Sequence, residues 1–397
     1  MRARLLIILM GATTFCSAGR AMAGPLSAEP LIGVAAEYTD NPALAVVGGR
    51  SESHEALLVN LPINYDLDQV HFALTPSVRY SDAPGYSSVT SDYYHLDART
   101  ELDDDFDVFS ASAAFHRDSS LLYAGEVADG VGVRRDTSSA DAYWQRRLNE
   151  RLDFKLDVST MRTLYDETTA VPTLLAYRYS SGLPMIEYAV DERTKFRIVG
   201  AIGRYYSLDH LTSSESKSLQ LGYDRALNEL WTVDVTAGYS RAVNAYDFYL
   251  FGFFYLGTIK SNENGTVFSA TLSRQSERLV VNTTISRQLV PTGIDFLTRQ
   301  DTVAASANFN LTERWTFDAN ASWNDNLTPD IGGGNTERRY YNVVLSALWH
   351  WTEQWQVSMS ALRISQRFAA GLDERVVNPV SNGLSLQMAY HFHRTNQ

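Results

Sequence analysis

The chain reads as an all-β protein, a transmembrane antiparallel up-and-down β-barrel of about 18 strands with short periplasmic turns and longer extracellular loops. Three observations predict it. Segments of about ten residues alternate apolar and polar side chains along most of the chain. Short acidic turns recur between these segments at a nearly constant spacing. No stretch after the N-terminal leader reaches the ~18 apolar residues of a spanning helix, so a membrane location requires a closed barrel.

The leader comes first. Arg2 and Arg4 precede an apolar run from Leu5 to Phe15, and Ala21-Met22-Ala23 supplies a small-x-small cleavage pattern. Residues 1–23 read as a secretory signal peptide, and residues 24–397 as a single transmembrane barrel domain. Phe15 is too bulky for Cys16 to serve as a lipoprotein cysteine. Cys16 is also the only cysteine, so the mature chain is expected to hold neither a disulfide nor a thiolate metal site. Losing Arg2, Arg4 and Arg20 with the leader leaves 31 basic against 46 acidic residues, a formal charge of −15. An acidic chain without a basic stripe excludes nucleic acid as a partner.

The turns give the period. They are "YDLDQV" (65–70), "LDDDF" (102–106), "LNERL" (148–152), "VDERTKF" (190–196), "LNELW" (227–231), "RQSERL" (274–279), "LTERW" (311–315) and "WTEQW" (351–355). Between the central positions Leu67, Asp104, Glu150, Glu192, Glu229, Glu277, Glu313 and Glu353 the gaps are 37, 46, 42, 37, 48, 36 and 40 residues. A hairpin plus a return loop fits that unit. Propeller blades share the period but would show shorter strands in fours, and a packed soluble core would not tolerate the mid-strand ionisable groups.

The alternating segments fall near 31–38, 54–65, 69–80, 91–102, 106–116, 138–148, 152–163, 175–190, 195–207, 215–227, 231–242, 264–275, 279–290, 299–311, 314–325, 338–351, 354–365 and 381–392. That is 18, an even number that brings both termini to the periplasm. The stretch "WTFDANASW" shows the two faces: Trp315, Phe317, Ala319, Ala321 and Trp323 face lipid, while Thr316, Asp318, Asn320 and Ser322 face the lumen. Trp231, Trp315, Trp323, Trp349, Trp351 and Trp355 are expected as interface anchors, since an indole combines an apolar ring with one polar N–H. The final strand, "LSLQMAYHF", ends on the aromatic Phe392 with five residues after it.

The first strand begins about eight residues after the cleavage point, which leaves no expected room for an N-terminal plug. Two loops, 117–137 and 243–263, are long enough to enter the lumen. The second holds "DFYLFGFFYLG" (247–257). Its residues Phe248 to Leu256 read as extending a strand or packing over the barrel rim, or else as an inward constriction, with Phe248, Phe251, Phe253 and Phe254 as a gate.

At "SRQLVPTGIDFLTRQDTVAASANFNLTERWTFDANASW" a serine-arginine strand end, a Pro-x-Gly, a Thr-x-x-Asp strand start and a Leu-Thr-Glu-Arg turn follow one another. Together with "YTDNPAL", "LNERL" and "SERL", this resembles the outer-membrane β-barrel proteins associated with exosortase (PEP-CTERM) and exopolysaccharide loci, akin to porins of polysaccharide secretion. The resemblance implies a polysaccharide-linked outer-membrane conduit. Its motifs are structural and mark no reactive site.

Signs of chemistry are sparse. None of His54, His71, His95, His116, His210, His350, His391 and His393 lies in a Gly-x-Ser-x-Gly or His-Glu-x-x-His context. No cofactor motif is present, and an outer-membrane hydrolase is the least favoured reading. Asp40-Asn41-Pro42 and Asp373-Glu374 read as solvated loop residues rather than calcium ligands. The expected pore lining is Arg79, Asp97, Arg99, Asp141, Gln145, Arg147, Asp153, Lys155, Asp157, Lys195, Arg197, Asp224, Asp234, Asp318 and Asn342. Its mixed signs suit a hydrated polar solute such as a sugar chain, and equally suit salt bridges that brace the wall. Expected function is therefore a porin-like conduit linked to exopolysaccharide secretion. The alternative is a non-conducting barrel that docks a periplasmic export partner. Outer-membrane lipid is the partner common to both.

Overall fold

In the computed structural model the described residues are 26–42, 44–46, 48–82, 93–119, 134–166, 174–250, 254–293, 297–329, 335–370 and 375–392. They form one closed antiparallel sheet. Three strands are interrupted. β1 comprises Leu26–Ala28 and Leu31–Thr39, β2 comprises Glu52–Asn60 and Ile63–Leu67, and β18 comprises Arg375–Val377 and Val380–His391. Pro30, Pro62 and Pro379 stand in the breaks, where the missing N–H removes a ladder donor. Because both pieces of each broken strand pair with the same neighbours' strands, the wall has 18 staves.

The remaining strands are continuous: β3 (Val70–Asp82), β4 (Tyr93–Asp103), β5 (Asp107–Ser119), β6 (Arg134–Asn149), β7 (Leu152–Tyr165), β8 (Tyr177–Asp191), β9 (Thr194–Ser207) and β10 (Thr212–Ala226). They continue with β11 (Trp231–Leu250), β12 (Phe254–Gln275), β13 (Leu279–Pro291), β14 (Leu297–Thr312), β15 (Trp315–Pro329), β16 (Asn335–His350) and β17 (Trp355–Ala370). Each strand pairs with its sequence neighbours, and β18 closes the circle on β1 through Leu31↔His391 to Thr39↔Gly383. The eight acidic turns join strands at one rim, and the two described chain ends lie there as well.

Closure distinguishes the two faces. On β9 the odd positions Val199, Gly203, Tyr205 and Ser207 are buried, while Phe196, Ile198, Ile202 and Tyr206 are exposed. Curvature crowds the side chains of the concave face and splays those of the convex face. The convex face carries the apolar set, including Val34, Leu96, Val158, Leu219, Tyr239, Val303, Val343, Leu345 and Leu386. In water such a surface would drive association; in a bilayer it is the solvated face. The protein is an integral β-barrel of the outer-membrane type.

Two expectations need correction. The long loop expected at 243–263 is instead strand over 243–250 and 254–263, in line with the strand-extension reading of the aromatic stretch, because β11 and β12 stay paired from Trp231↔Arg274 to Leu250↔Phe254. Above the lipid band both faces of a hairpin meet water, so its strands need no apolar face and the polar run 260–266 looks like a loop in the sequence. The expected alternation of short turns with long loops also fails in places. Only residues 208–211 join β9 to β10, and only 251–253 join β11 to β12.

Candidate functional site: the lumen and its mouth

The strand register places every expected pore residue on the concave face. Most are tied sideways along the wall. Arg79 pairs with Glu37, which also bonds His54 at 3.0 Å. Asp97 meets His116 at 2.7 Å, and His95 lies between the rings of Tyr93 and His116. Asp153 accepts from Gln145, and Asp141 from Ser112. Buried Glu187 takes Lys155 at 2.9 Å and Lys195 at 3.0 Å. Arg197 reaches over β10 to Asp234 at 2.5 Å. It passes Gly222, where a Cβ would stand 2.9 Å from the guanidinium Nε. Arg99 bonds Glu101, and Asp318 accepts from Asn308. The side chains of Arg147, Asp157, Asp224 and Asn342 make no hydrogen bond or ion pair among the described residues.

The wall is asymmetric. Ion pairs occupy the lumen face from β1 to β11. From β13 to β17 the lumen face is mostly amide and hydroxyl, with Asp318 the mid-wall charge. Gln300–Asn326 (3.0 Å), Thr302–Asn324 (2.8 Å) and Asn308–Asp318 (2.6 Å) cross-link neighbouring strands there. Asn282, Ser306, Asn320, Ser322 and Asn342 line a cavity of about 220 Å³ on this half of the wall.

Two loops on the rim opposite the turns fold inward, and neither is one of the two named from sequence; of those, 117–137 lies for the most part (120–133) outside the described residues. The first follows β1. Asp40 accepts from the Asn382 backbone N–H at 2.6 Å and from its side-chain amide at 2.7 Å. Asn41 donates to the carbonyls of Ala45 and Val380. So braced, the chain turns at Leu44, whose φ of 50° is left-handed. The Leu44 side chain is 1% exposed and packs against Tyr340, Ile364 and Leu362 on the lumen face of β16 and β17. Asp40 and Asn41, read from sequence as solvated loop residues, instead clasp the seam between β18 and β1.

The second inward segment joins β13 to β14. The Tyr205 hydroxyl donates to the Thr292 carbonyl at 3.1 Å, and the Leu175 N–H donates to the Gly293 carbonyl at 2.7 Å. Leu297 is fully buried with Tyr177 and Tyr205, whose rings stack at 5.3 Å. A Cβ at Gly293 would lie 2.6 Å from the Tyr165 hydroxyl, so a larger residue would have to displace that ring. In the wall β10, β11 and β12 stand between β9 and β13, so these contacts cross the mouth as a chord. The departure of β13 from the wall is visible in its ladder. β12 pairs with β13 only from Gln275↔Val280 to Phe268↔Arg287, although β12 runs on to Phe254. A cavity of about 300 Å³ lies in the cleft, lined by Glu263, Asn264, Val267, Arg287, Gln288 and Arg299.

The expected aromatic gate lies elsewhere or outside view. Phe248 sits in the β11 ladder opposite Gly257 and makes an edge contact with Tyr246. Phe254 pairs with Leu250; Phe251, Phe253 and the Phe254 side chain lie outside the described residues. Most of the tryptophans lie toward the turn ends of their strands, where several pack on one another. Trp315 stacks on Trp349 at 5.7 Å beside Trp351, and Trp355 meets Tyr390. Trp231 lies under Arg274, and Trp323 pairs with Tyr341 at the other end of the lipid band. Sequence reasoning missed Glu187, Leu44, Tyr205 and Leu297. Glu187 alone gave a signal, as an acid at a lumen-parity position in the run "LPMIEYAV".

The chain matches no protein-family model and no curated protein. Its fold is similar to solved outer-membrane barrels. The ferric citrate transporter FecA in the unliganded form aligns with a TM-score of 0.50 at 8% identity, covering 94% of this chain and 79% of that one. OccK2 (OpdF) of Pseudomonas aeruginosa aligns at 0.46 and 12%, covering 92% and 98%. OccAB4 of Acinetobacter baumannii aligns at 0.45 and 10%, also covering 92% and 98%. At these identities the likeness concerns the fold alone. The exopolysaccharide association rests on the sequence motifs.

Proposed function

We propose that the mature chain, released from a leader at 1–23, is a porin-like conduit with a mouth narrowed by two inward loops, and that it passes a neutral or weakly charged polar chain such as a polysaccharide. The observation that carries this reading is the predominantly amide and hydroxyl track on the lumen face of β13–β17, where Asp318 is the one mid-wall charge. Amides and hydroxyls exchange hydrogen bonds with sugar hydroxyls at little net cost, because each bond replaces one to water. On the opposite half-wall many charges are held in lateral pairs, such as Arg79 with Glu37 and Lys155 and Lys195 with Glu187, which ties those side chains to the wall rather than to a passing solute. Resemblance of the motifs to exopolysaccharide-associated barrels supports a sugar as that solute.

The test is single-channel conductance in a planar bilayer with neutral oligosaccharides added to one side. Conductance that the sugars block, with the block weakened in Asn320→Leu and Asn342→Leu, is the expected result. Steady conductance unaffected by sugars would point to a general diffusion pore. A second reading is favoured by the chord across the mouth: a barrel that docks a periplasmic export partner and does not itself conduct. Silence from both the intact protein and variants with released loops would move that reading ahead.

A further inference from the structure

The convex face shows a charge imbalance at one height. Arg162 on β7, Arg204 on β9 and Arg241 on β11 each stand ten residues beyond the first residue of their strand at the turn rim. At ~3.3 Å per residue and a ~40° tilt, ten residues rise about 25 Å, the height of an outer-membrane apolar band. One step toward the turns lie lipid-facing residues: Ile202 before Arg204, Leu219 before Lys217 and Tyr239 before Arg241. The cations therefore begin where the acyl chains end.

Their register is the informative part. Arg178 stands directly opposite Arg162, and Lys217 directly opposite Arg241. Directly opposed side chains have Cβ atoms about 4.5–5.5 Å apart, and like charges so placed destabilise a sheet. Arg204 bridges the two pairs, diagonal to Arg178 and opposite Glu215. Glu215 bonds Lys217 at 3.2 Å and lies 3.7 Å from Arg204. Arg162, Arg178 and Arg241 are exposed and have no ion pair among the described residues. Five cations thus share one carboxylate. At the same height on β13–β16 carboxylates stand beside two of the three convex-face cations, while Arg299 makes no ion pair among the described residues and Arg339 stands opposite Arg367 of β17. Arg287 forms a two-point bond with Asp301 at 2.6 and 2.7 Å, and Arg339 sits between Asp325 and Glu337.

We propose that Arg162, Arg178, Arg204, Lys217 and Arg241 form a binding surface for the phosphorylated glycolipid headgroups of the outer leaflet. The chemistry fits on three counts. Phosphates accept two-point bonds from guanidinium groups. The opposed cation pairs lack only an anion between them. The height excludes a soluble ligand held away from the membrane, because the cations adjoin the acyl-chain band on the same convex face.

The test measures lipid binding by the purified barrel in neutral detergent. Lipopolysaccharide is titrated against the intact protein and Arg178→Gln, Arg241→Gln, the double variant and Glu215→Gln, with folding checked by heat-modifiable gel mobility. Each lost cation should weaken binding about fivefold, and the double variant roughly 25-fold. Glu215→Gln should tighten it, since the remaining counter-charge is gone. Lipid-free Arg178→Gln and Arg241→Gln should melt higher than the intact protein, because each removes a like-charge contact. Phosphatidylcholine and inorganic phosphate are the comparison ligands. Equal affinity for lipopolysaccharide across all variants would overturn the proposal. So would stabilisation by inorganic phosphate equal to that by the lipid, or a Glu215→Gln variant that binds lipopolysaccharide more weakly.

Discussion

Leu44→Ala is the perturbation that isolates the first inward loop. The leucine is 1% exposed against Tyr340, Ile364 and Leu362, and its backbone is left-handed. A left-handed L-residue costs about 1–2 kcal/mol, so the side-chain burial must hold the loop in place. Leucine-to-alanine changes in cores cost about 2–5 kcal/mol. The Leu44 site borders a hydrated lumen, where water can enter the vacated space, so the low end of about 2–3 kcal/mol applies. At 1.4 kcal/mol per tenfold, that shifts the docked-to-undocked ratio by roughly 30- to 150-fold. Asp40 and Asn41 keep their bonds to Asn382 and Val380, so the β1–β18 seam should survive. Planar-bilayer recording should show larger mean conductance and frequent steps. Joining Leu44→Cys to Leu362→Cys with a short bismaleimide should restore the smaller conductance, and the sequence after Cys16 offers no competing cysteine. A folded Leu44→Ala protein with unchanged conductance and step frequency would show that this loop does not limit passage.

The two faces should answer charge oppositely. Leu345→Arg, on the lipid side, should cost about 2–4 kcal/mol and lower urea-unfolding midpoints. Ser346→Arg, opposite Asp318 in the lumen, should leave the midpoint nearly unchanged, and equal effects would refute the face assignment. Gly293→Val would drive a side chain into the Tyr165 hydroxyl. It should cost about 1–3 kcal/mol and increase conductance by lifting the chord from β7–β9; unchanged conductance in a folded variant would count against the chord as a constriction. Asp40 gives a pH test. Burial works against its charge, but the Asn382 side-chain amide and backbone N–H outweigh this and hold the carboxyl below its usual range. A depressed folded pKa stabilises above the unfolded value of about 3.9 and loses that contribution as pH falls through the folded value. The intact protein should therefore lose more thermal stability than Asp40→Asn between pH 6 and pH 3, and parallel losses would remove Asp40 from the seam.

The strand pattern was legible wherever lipid touches the wall. Trp315 to Trp323 alternate because a bilayer dictates every second side chain, and the period of two survives any detail of packing. Legibility ended at the outer interface. Beyond Tyr239 the β11–β12 hairpin runs on with Lys260, Asn262 and Asn264 on its convex face, and no hydropathy rule applies to a ribbon with water on both sides. The inward loops were hidden for a different reason. Leu44 and Leu297 are single apolar residues in polar surroundings, and each acquires meaning only from a partner far away in the chain: Ile364 for one, Tyr205 for the other. A periodicity argument sees neighbours in sequence, whereas a chord across a barrel is a purely non-local contact. Lumen charges fall between these cases. Alternation put them on the right face, but which pairs with which depends on register, as with Arg197 passing over Gly222 to Asp234.

The two inward segments coincide with two stretches that carry the family resemblance, "YTDNPAL" at 38–44 and the Pro-x-Gly at 291–293. Neither stretch contains a group suited to bond-making chemistry; each contains the residues needed to turn a chain sharply and pin it across a gap. Their placement is complementary. Leu44 lands on the lumen face of β16–β17, within the mostly amide and hydroxyl half-wall, and the β13–β14 segment leaves that half to land on the tyrosines of β7–β9. One loop therefore covers the amide track at the mouth, and the other divides the mouth beside it. A chain of sugars entering along β13–β17 would meet the underside of both. If the loops serve passage, releasing either one should alter sugar block as well as conductance, because each borders the track. If they serve only to brace the mouth, Leu44→Ala and Gly293→Val should lower stability while leaving the sugar concentration for half-block where it was. Measuring both quantities on the same two variants separates a gate from a strut.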